Sequence, residues 1–229
     1  MVNRSSVVPV VFGLFAVVGV IGLVSVSGRE DEAAPAADAP PASSALSVEQ
    51  IDTVSSATDI PRRALTAYVA AAEQAAVDAP GCRIGWNTLA GIGSSESSHG
   101  AFGGATLDDA GVATPLIIGV PLDGTGGNRA IDDTDGGRLD GDTRWDRAVG
   151  PLQFIPTTWE QWGADGDGDG VNDPHDIDDA AAAAARYLCD AGDDLSASEG
   201  WSRAVLTYNQ SGAYARQVSR TATKYAQAS

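Results

Sequence analysis

Basic residues are scarce in this chain of 229: 14 Lys and Arg stand against 31 Asp and Glu, for a formal charge of −17. A surface of that sign repels phosphates, which speaks against nucleic acid and anionic lipid as partners. Cysteine is limited to Cys82 and Cys189, too few for a disulfide scaffold and too widely separated for a zinc motif. In an exported chain the two most simply form one bridge. Strand signals are nearly absent as well, so a large sheet is not expected.

One long uncharged run is present, from Val7 to Val26, with Arg4 before it and Glu30, Asp31 and Glu32 after it. About 20 apolar residues suffice to cross a bilayer, and the charge order points the N-terminus inward. Ser25-Val26-Ser27-Gly28 offers small residues of the kind a signal peptidase cuts after. Residues 1–28 are therefore expected to be a signal peptide or an N-terminal membrane anchor. Residues 29–46, rich in Ala, Pro and Asp, read as a semi-extended linker. Residues 47–229 are left as the folded domain.

That domain reads as mainly α. Ser47 with Gln50 resembles a capping box. Asp59-Ile60-Pro61 opens a helix with apolar Ala64, Leu65, Tyr68 and Ala72, which Pro80-Gly81 closes. Pro156 opens a helix carrying Trp159 and Trp162. Asp178 is expected to cap an alanine-rich helix, Asp179–Leu188. Trp201, Val205, Leu206 and Tyr208 pattern another helix, and Tyr214, Val218 and Tyr225 a last one. Between Gly103 and Asp146 lies a Gly- and Asp-rich insertion, with one apolar patch at Pro115–Leu122 suited to a short strand. A loop that long inside a domain is either functional or disordered.

Trp86 to Gly104 is a glycine-rich helical stretch in which Leu89, Ile92 and Gly93 fall at helical spacing. It leads to Glu96, a lone carboxylate among small uncharged residues. Partial desolvation there raises its pKa and keeps it protonated near neutrality, as a general acid requires. A solvated glutamate at a frayed helix end is the other reading of this stretch taken alone.

Asp165-Gly166-Asp167-Gly168-Asp169-Gly170-Val171-Asn172-Asp173-Pro174-His175-Asp176 matches the calcium loop of an EF-hand. It has oxygen ligands at positions one, three and five, glycine at six and a carboxylate at twelve. Asp176 replaces the usual glutamate, and Asn172 stands where an apolar residue is usual. The expected ligands of one structural calcium ion are Asp165, Asp167, Asp169, Asp173 and Asp176 with the Val171 carbonyl.

Four pieces now stand in order: Glu96-Ser97, Gly150-Pro151-Leu152-Gln153-Phe154, the acidic loop, and Tyr208-Asn209. Together they resemble the lysozyme-like lytic transglycosylases, closest to the membrane-bound lytic transglycosylase B type in an exported actinobacterial form. The resemblance covers roughly residues 61–225. It implies a helical domain of the SLT/goose-type lysozyme superfamily with an EF-hand-like loop, here with a long Gly/Asp-rich insertion that has no counterpart. Glu96 would be the catalytic acid/base. Ser97, Gln153, Phe154, Tyr208 and Asn209 would line the substrate cleft. The substrate would be peptidoglycan glycan strands, cut between N-acetylmuramic acid and N-acetylglucosamine with formation of a 1,6-anhydro ring. An extracytoplasmic monomer is expected. A hydrolytic muramidase of the same fold and a non-catalytic, calcium-dependent cell-wall-binding module are the competing readings.

Overall fold

The computed structural model describes residues 37–42 and 45–229. The signal peptide or anchor expected over residues 1–28 lies outside the described residues, as does the first part of the expected linker. No helix among the described residues is long and apolar enough to cross a membrane.

Seven helices are present among the described residues: α1 Val48–Ala57, α2 Arg62–Asp78, α3 Trp86–Ser97, α4 Pro156–Trp162, α5 Ile177–Gly192, α6 Ser198–Tyr208 and α7 Gly212–Ala226. The mainly α expectation holds. Local chemistry sets most of their starts. The Ser47 Oγ accepts from Gln50 N at 3.2 Å while Gln50 Oε1 accepts from Ser47 N at 3.0 Å, closing the capping box of α1. Pro61 sits just before α2, and Pro156 occupies the first turn of α4, where its missing N–H costs nothing. Ser211 caps α7. The cap of α5 is Asp176, not Asp178: its side chain accepts from Asp178 N at 2.7 Å. Asp178 instead lies in the first turn and forms an ion pair with Arg63 of α2.

The core forms where α2 packs on α5, α5 on α6, and α3 on α7. Alanines at 180, 181, 183, 184 and 185 of α5 are buried, so its neighbours approach with little side chain between them. The larger volumes come from Trp86, Trp201, Tyr68, Tyr208, Phe154 and Leu152, all buried. Cys82, beyond α2, is bonded to Cys189 in the last turns of α5, with Cα atoms 5.3 Å apart across a separation of 107 residues.

The insertion contains no α-helix; a 3-10 turn at Phe102–Gly104 leads into it. β1 Thr106–Leu107 pairs antiparallel with β2 Ala113–Thr114, and β3 Ile118–Pro121 with β4 Arg147–Val149, in the register Ile118 to Val149 and Pro121 to Arg147. The expected strand in the apolar patch is β3. Its aspartates build turns by accepting backbone N–H groups, the local alternative that Asp side chains offer to regular structure. Asp133 Oδ1 accepts from Asp135, Gly136 and Gly137. Asp142 Oδ1 accepts from Arg144 and Trp145, and Asp146 from Thr134.

The described part of the linker is held against the domain. Ala37 O accepts from Ser202 Oγ at 2.7 Å, Asp38 O from Ser219 Oγ at 2.6 Å and Pro41 O from Asn87 Nδ2 at 3.0 Å. An extended Ala/Pro backbone keeps its carbonyls free of internal bonds, so side chains of α6, α7 and α3 can take them.

Replacing both Cys82 and Cys189 by Ser opens the long loop, and the chain-entropy model puts the expected loss of stability at ~4–5 kcal/mol. Urea unfolding of the double variant measures it, and alkylation of the unfolded, unreduced parent is expected to find no free thiol. Two reactive thiols would refute the bridge.

Candidate active site

Glu96 occupies the last turn of α3, and only 6% of it is exposed. Two features of the sequence put it there. Gly93, one turn earlier, lets Tyr68 of α2 close in: a Cβ at this position would stand 2.0 Å from the Tyr68 hydroxyl. After Ser97 the backbone turns left-handed through Ser98 and His99, which ends the helix without a break in packing. The Tyr214 hydroxyl donates to Glu96 Oε1 at 2.6 Å. Burial pushes the Glu96 carboxyl up to about 8, against the opposing pull of the Tyr214 bond. The carboxyl is therefore protonated at neutral pH. With Oε1 accepting from Tyr214, Oε2 is the oxygen left free to present the acidic proton.

Ser97 is buried. Its Oγ donates to Pro151 O at 2.6 Å and accepts from Gly100 N at 2.7 Å, tying the end of α3 to residues 150–154. Tyr208 donates to Leu152 O at 2.7 Å and so holds the same segment from α6. Phe154 is core: it exchanges backbone bonds with Val149 and packs edge-on against Trp159 and Tyr208, with centroids 5.4 and 5.9 Å away. Asn209 is buried at the end of α6, where its Oδ1 accepts from Ser211 N at 3.1 Å. These contacts fix the segment and helix ends around Glu96.

Gln153 is the exception with unspent polar capacity. It is 1% exposed and adopts φ 50°. Its Nε2 donates to Gly150 O at 3.0 Å, while its Oε1 has no hydrogen-bond partner among the described residues. That oxygen faces Gly119 of β3, where a Cβ would come within 3.0 Å. The insertion thus roofs the expected cleft residue.

The acidic loop converges differently from the twelve-residue pattern. Ligand oxygens of Asp165, Asp167 and Asp179 all lie within 4.8 Å of one another. Asp179, fourteen positions after Asp165, takes the place expected of Asp176, whose side chain is engaged in capping α5. Backbone donors hold the carboxylates: Asp165 accepts from Gly168 and Gly170, and Asp179 from Gly166 at 2.6 Å and Asp173 at 2.7 Å. Burial first, and then the charges of Asp167 and Asp165, raise the Asp179 carboxyl. Asp169 and Asp173 accept from Val171 N and His175 N, and neither joins the triad. Val171 is exposed. A donor set of three carboxylates suits a hard cation. The loop also braces the site: Pro174 O lies so close to Gly150 that a Cβ there would be 1.7 Å from it.

Two residues were missed in the sequence. Tyr214 read only as part of an apolar stripe, and nothing local marks it as the partner of a residue 118 positions away. Asp179 read as the end of an acidic cluster suited to a cation and as the start of a helix, but not as one of the ligands. A cavity of about 990 Å³ opens between α2 and α5 beside the disulfide, lined by Ala75, Asp78, Trp162 and Arg186, and it does not include Glu96.

Glu96→Gln tests the buried acid without substrate. The folded state holds the Glu96 proton up to about 8, whereas the ordinary value is 4.5. Across that window the folded state binds more protons than the unfolded, so its stability falls as pH rises. Relative to the parent, Glu96→Gln is expected to be equally stable at pH 4. It should gain by at most ~1.4 kcal/mol per pH unit between about pH 5 and 8. Urea midpoints at pH 4, 6 and 8 measure this, and a difference that does not change with pH would contradict a buried neutral acid.

Residues 131–206 match the family described as Transglycosylase SLT domain. Glu96, Tyr208, Asn209 and Tyr214 lie outside the matched residues; Gln153, Phe154 and the acidic loop lie inside. Among curated proteins none matches the chain significantly. Among solved structures, SltB3 from Pseudomonas aeruginosa, in complex with NAG-anhNAM-pentapeptide, is similar at 17% identity and a TM-score of 0.46. The likeness covers 79% of this chain, which spans 64% of the length of that one. Over residues 131–206, about a third of its length, the chain is similar to the transglycosylase SLT domain family.

Proposed function

We propose that this protein is a peptidoglycan lytic transglycosylase, cutting the β-1,4 bond between N-acetylmuramic acid and N-acetylglucosamine with formation of 1,6-anhydro-N-acetylmuramic acid. The observation that carries the reading is the buried Glu96 carboxyl, held by Tyr214 and protonated at neutral pH. Most glycoside hydrolases need two carboxyl groups, placed about 5 Å apart for retention and farther apart for inversion. The side chains that act on Glu96 are tyrosines, Tyr214 and Tyr208. A reaction that needs only one carboxyl group fits this setting.

Glu96 Oε2 gives its proton to the glycosidic oxygen as the bond to C1 of the muramoyl sugar breaks. The N-acetyl carbonyl of that sugar supports the electron-poor C1. The C6 hydroxyl then attacks C1, and Glu96, now a carboxylate, takes the hydroxyl proton and returns to its starting form. The Tyr214 hydroxyl bonds the carboxylate more strongly than the acid, which stabilises the charge between the two steps. Gln153 Oε1 is an acceptor without a partner and would take a substrate N–H or O–H once Gly119 of β3 moves off it. An oxidising, extracytoplasmic space fits both this substrate and the Cys82–Cys189 bridge.

The acidic loop is proposed to hold one calcium ion through Asp165, Asp167 and Asp179, completed by Asp169 and the Val171 carbonyl. The ion would supply countercharge to crowded carboxylates and stiffen the loop that presses on Gly150. It takes no part in bond breaking.

In digests of purified sacculi, the parent is expected to release anhydromuropeptides identifiable by mass spectrometry. Glu96→Gln should bind sacculi and lose at least 10²–10⁴-fold in rate, since one side chain serves as both acid and base. Cleavage within tenfold of the parent would remove Glu96 from the mechanism. Products with free reducing ends would replace the transglycosylase by a hydrolytic muramidase, and binding without release by the parent would leave a cell-wall-binding module.

Saturating calcium is expected to raise the melting temperature over that in excess chelator, because it binds the folded state. Asp179→Asn should abolish that shift. Asp176→Asn should keep it and lower both temperatures equally, by an amount set by a cap worth ~1 kcal/mol or less, since Asn also caps well. A calcium shift that survives Asp179→Asn would place the ion elsewhere.

A further inference from the structure

His99 stands three residues beyond Glu96, where the chain leaves α3 with φ 52° at Ser98 and 61° at His99. Neither residue is a glycine, so this left-handed path must be held by its surroundings. His99 is 2% exposed, and both ring nitrogens are partnered. Nδ1 lies 3.3 Å from the Tyr68 hydroxyl of α2, and Nε2 lies 3.0 Å from the Tyr225 hydroxyl of α7. The Tyr225 hydroxyl donates in turn to Asp59 Oδ1 at 3.0 Å.

A hydroxyl has one hydrogen to give. Tyr225 gives its hydrogen to Asp59, so its oxygen accepts from His99 Nε2–H. The bare Nδ1 then accepts from Tyr68. The chain of bonds runs in one direction, from Tyr68 through a neutral imidazole to Tyr225 and Asp59. Burial holds the imidazole down to about 4, so this form persists wherever Glu96 has a proton to give near neutrality.

The elements that grip His99 are also the ones that surround Glu96. Tyr214, the donor to Glu96, belongs to α7 like Tyr225. The Tyr68 hydroxyl is seated against Gly93, one turn before Glu96 on α3. The titratable groups facing Glu96 are Tyr214 and Tyr208. Those facing His99 are Tyr68 and Tyr225, with Asp59 behind Tyr225 and Lys224 acting on Asp59.

We propose that His99 is a positioning residue for Glu96: a neutral, two-sided link between α2 and α7 that fixes the end of α3 and keeps the Glu96 carboxyl against Tyr214 and away from water. The proposal rests on the reading of Glu96 as the acid/base.

Two variants test it. His99→Phe keeps the ring and removes both nitrogens; Tyr68→Phe removes one hydroxyl and leaves the packing. The readout is the carboxyl ¹³C titration of glutamate-labelled protein, with the Glu96 signal assigned by its loss in Glu96→Gln. The parent midpoint is expected near 8, the value to which burial pushes it. In both variants it should fall by about one pH unit or more, as water reaches the carboxyl. Turnover should drop by about 10- to 100-fold with little change in KM, the signature of a misplaced group and not of a lost substrate contact. The titration needs no substrate. A parent whose Glu96 titrates near 8 yet releases no fragment from sacculi would therefore sink the transglycosylase reading and leave the positioning role standing. If His99→Phe does not fold, Tyr68→Phe decides alone. A Glu96 midpoint unmoved in every folded variant, with only a lower melting temperature, would overturn the proposal.

Discussion

A carboxyl group withdrawn from water at the end of α3 is the constraint around which the other elements are placed. Removing Glu96 from solvent costs far more free energy when it is charged than when it is neutral, and it answers by keeping its proton. That answer requires close walls on every side. Gly93 admits Tyr68 from α2, α7 brings Tyr214, and α6 brings Tyr208 to the adjoining segment. Residues 150–154 are hung from this helix end by Ser97 and carry Gln153 as a consequence. The reactive group and the cleft segment are therefore fixed by one set of contacts.

Aspartate does two things here, accepting backbone N–H groups and gathering carboxylates. In the insertion, carboxylates such as Asp133 and Asp142 are turned back on their own backbone and accept two or three N–H groups each. In the acidic loop the backbone donors aim three carboxylates at a common point. Both clusters look alike as composition. They also look alike in the fold: ligand oxygens of Asp133, Asp135 and Asp146 in the insertion lie within 4.8 Å of one another, as those of Asp165, Asp167 and Asp179 do in the loop.

Roofing by the insertion changes the meaning of Gln153. In the sequence it stands in a Gly-x-x-Gln-Phe segment and is expected to line an open cleft. In the folded chain, β3 crosses above it and leaves its Oε1 buried and unbonded, a costly state for a polar atom in a packed interior. A long insertion can thus sit directly on a site while staying far from it in the chain.

The sequence by itself determined the parts whose causes span a few residues. Ser47 and Gln50 bond each other across one turn, Pro156 starts α4 through its own ring, and helical periodicity marks the buried faces of α2, α5 and α7. The lone Glu96 at an apolar helix end was legible for the same reason, as were the cysteine pair and the acidic loop. Tertiary structure alone decided what faces what. Tyr214 meets Glu96 across 118 positions, and Asp179 joins Asp165 because Asp176 is taken by the cap of α5. Ser97 and Phe154 turn inward to serve packing. Such partners are chosen by which helices lie side by side, and no short-range rule carries that information along the chain.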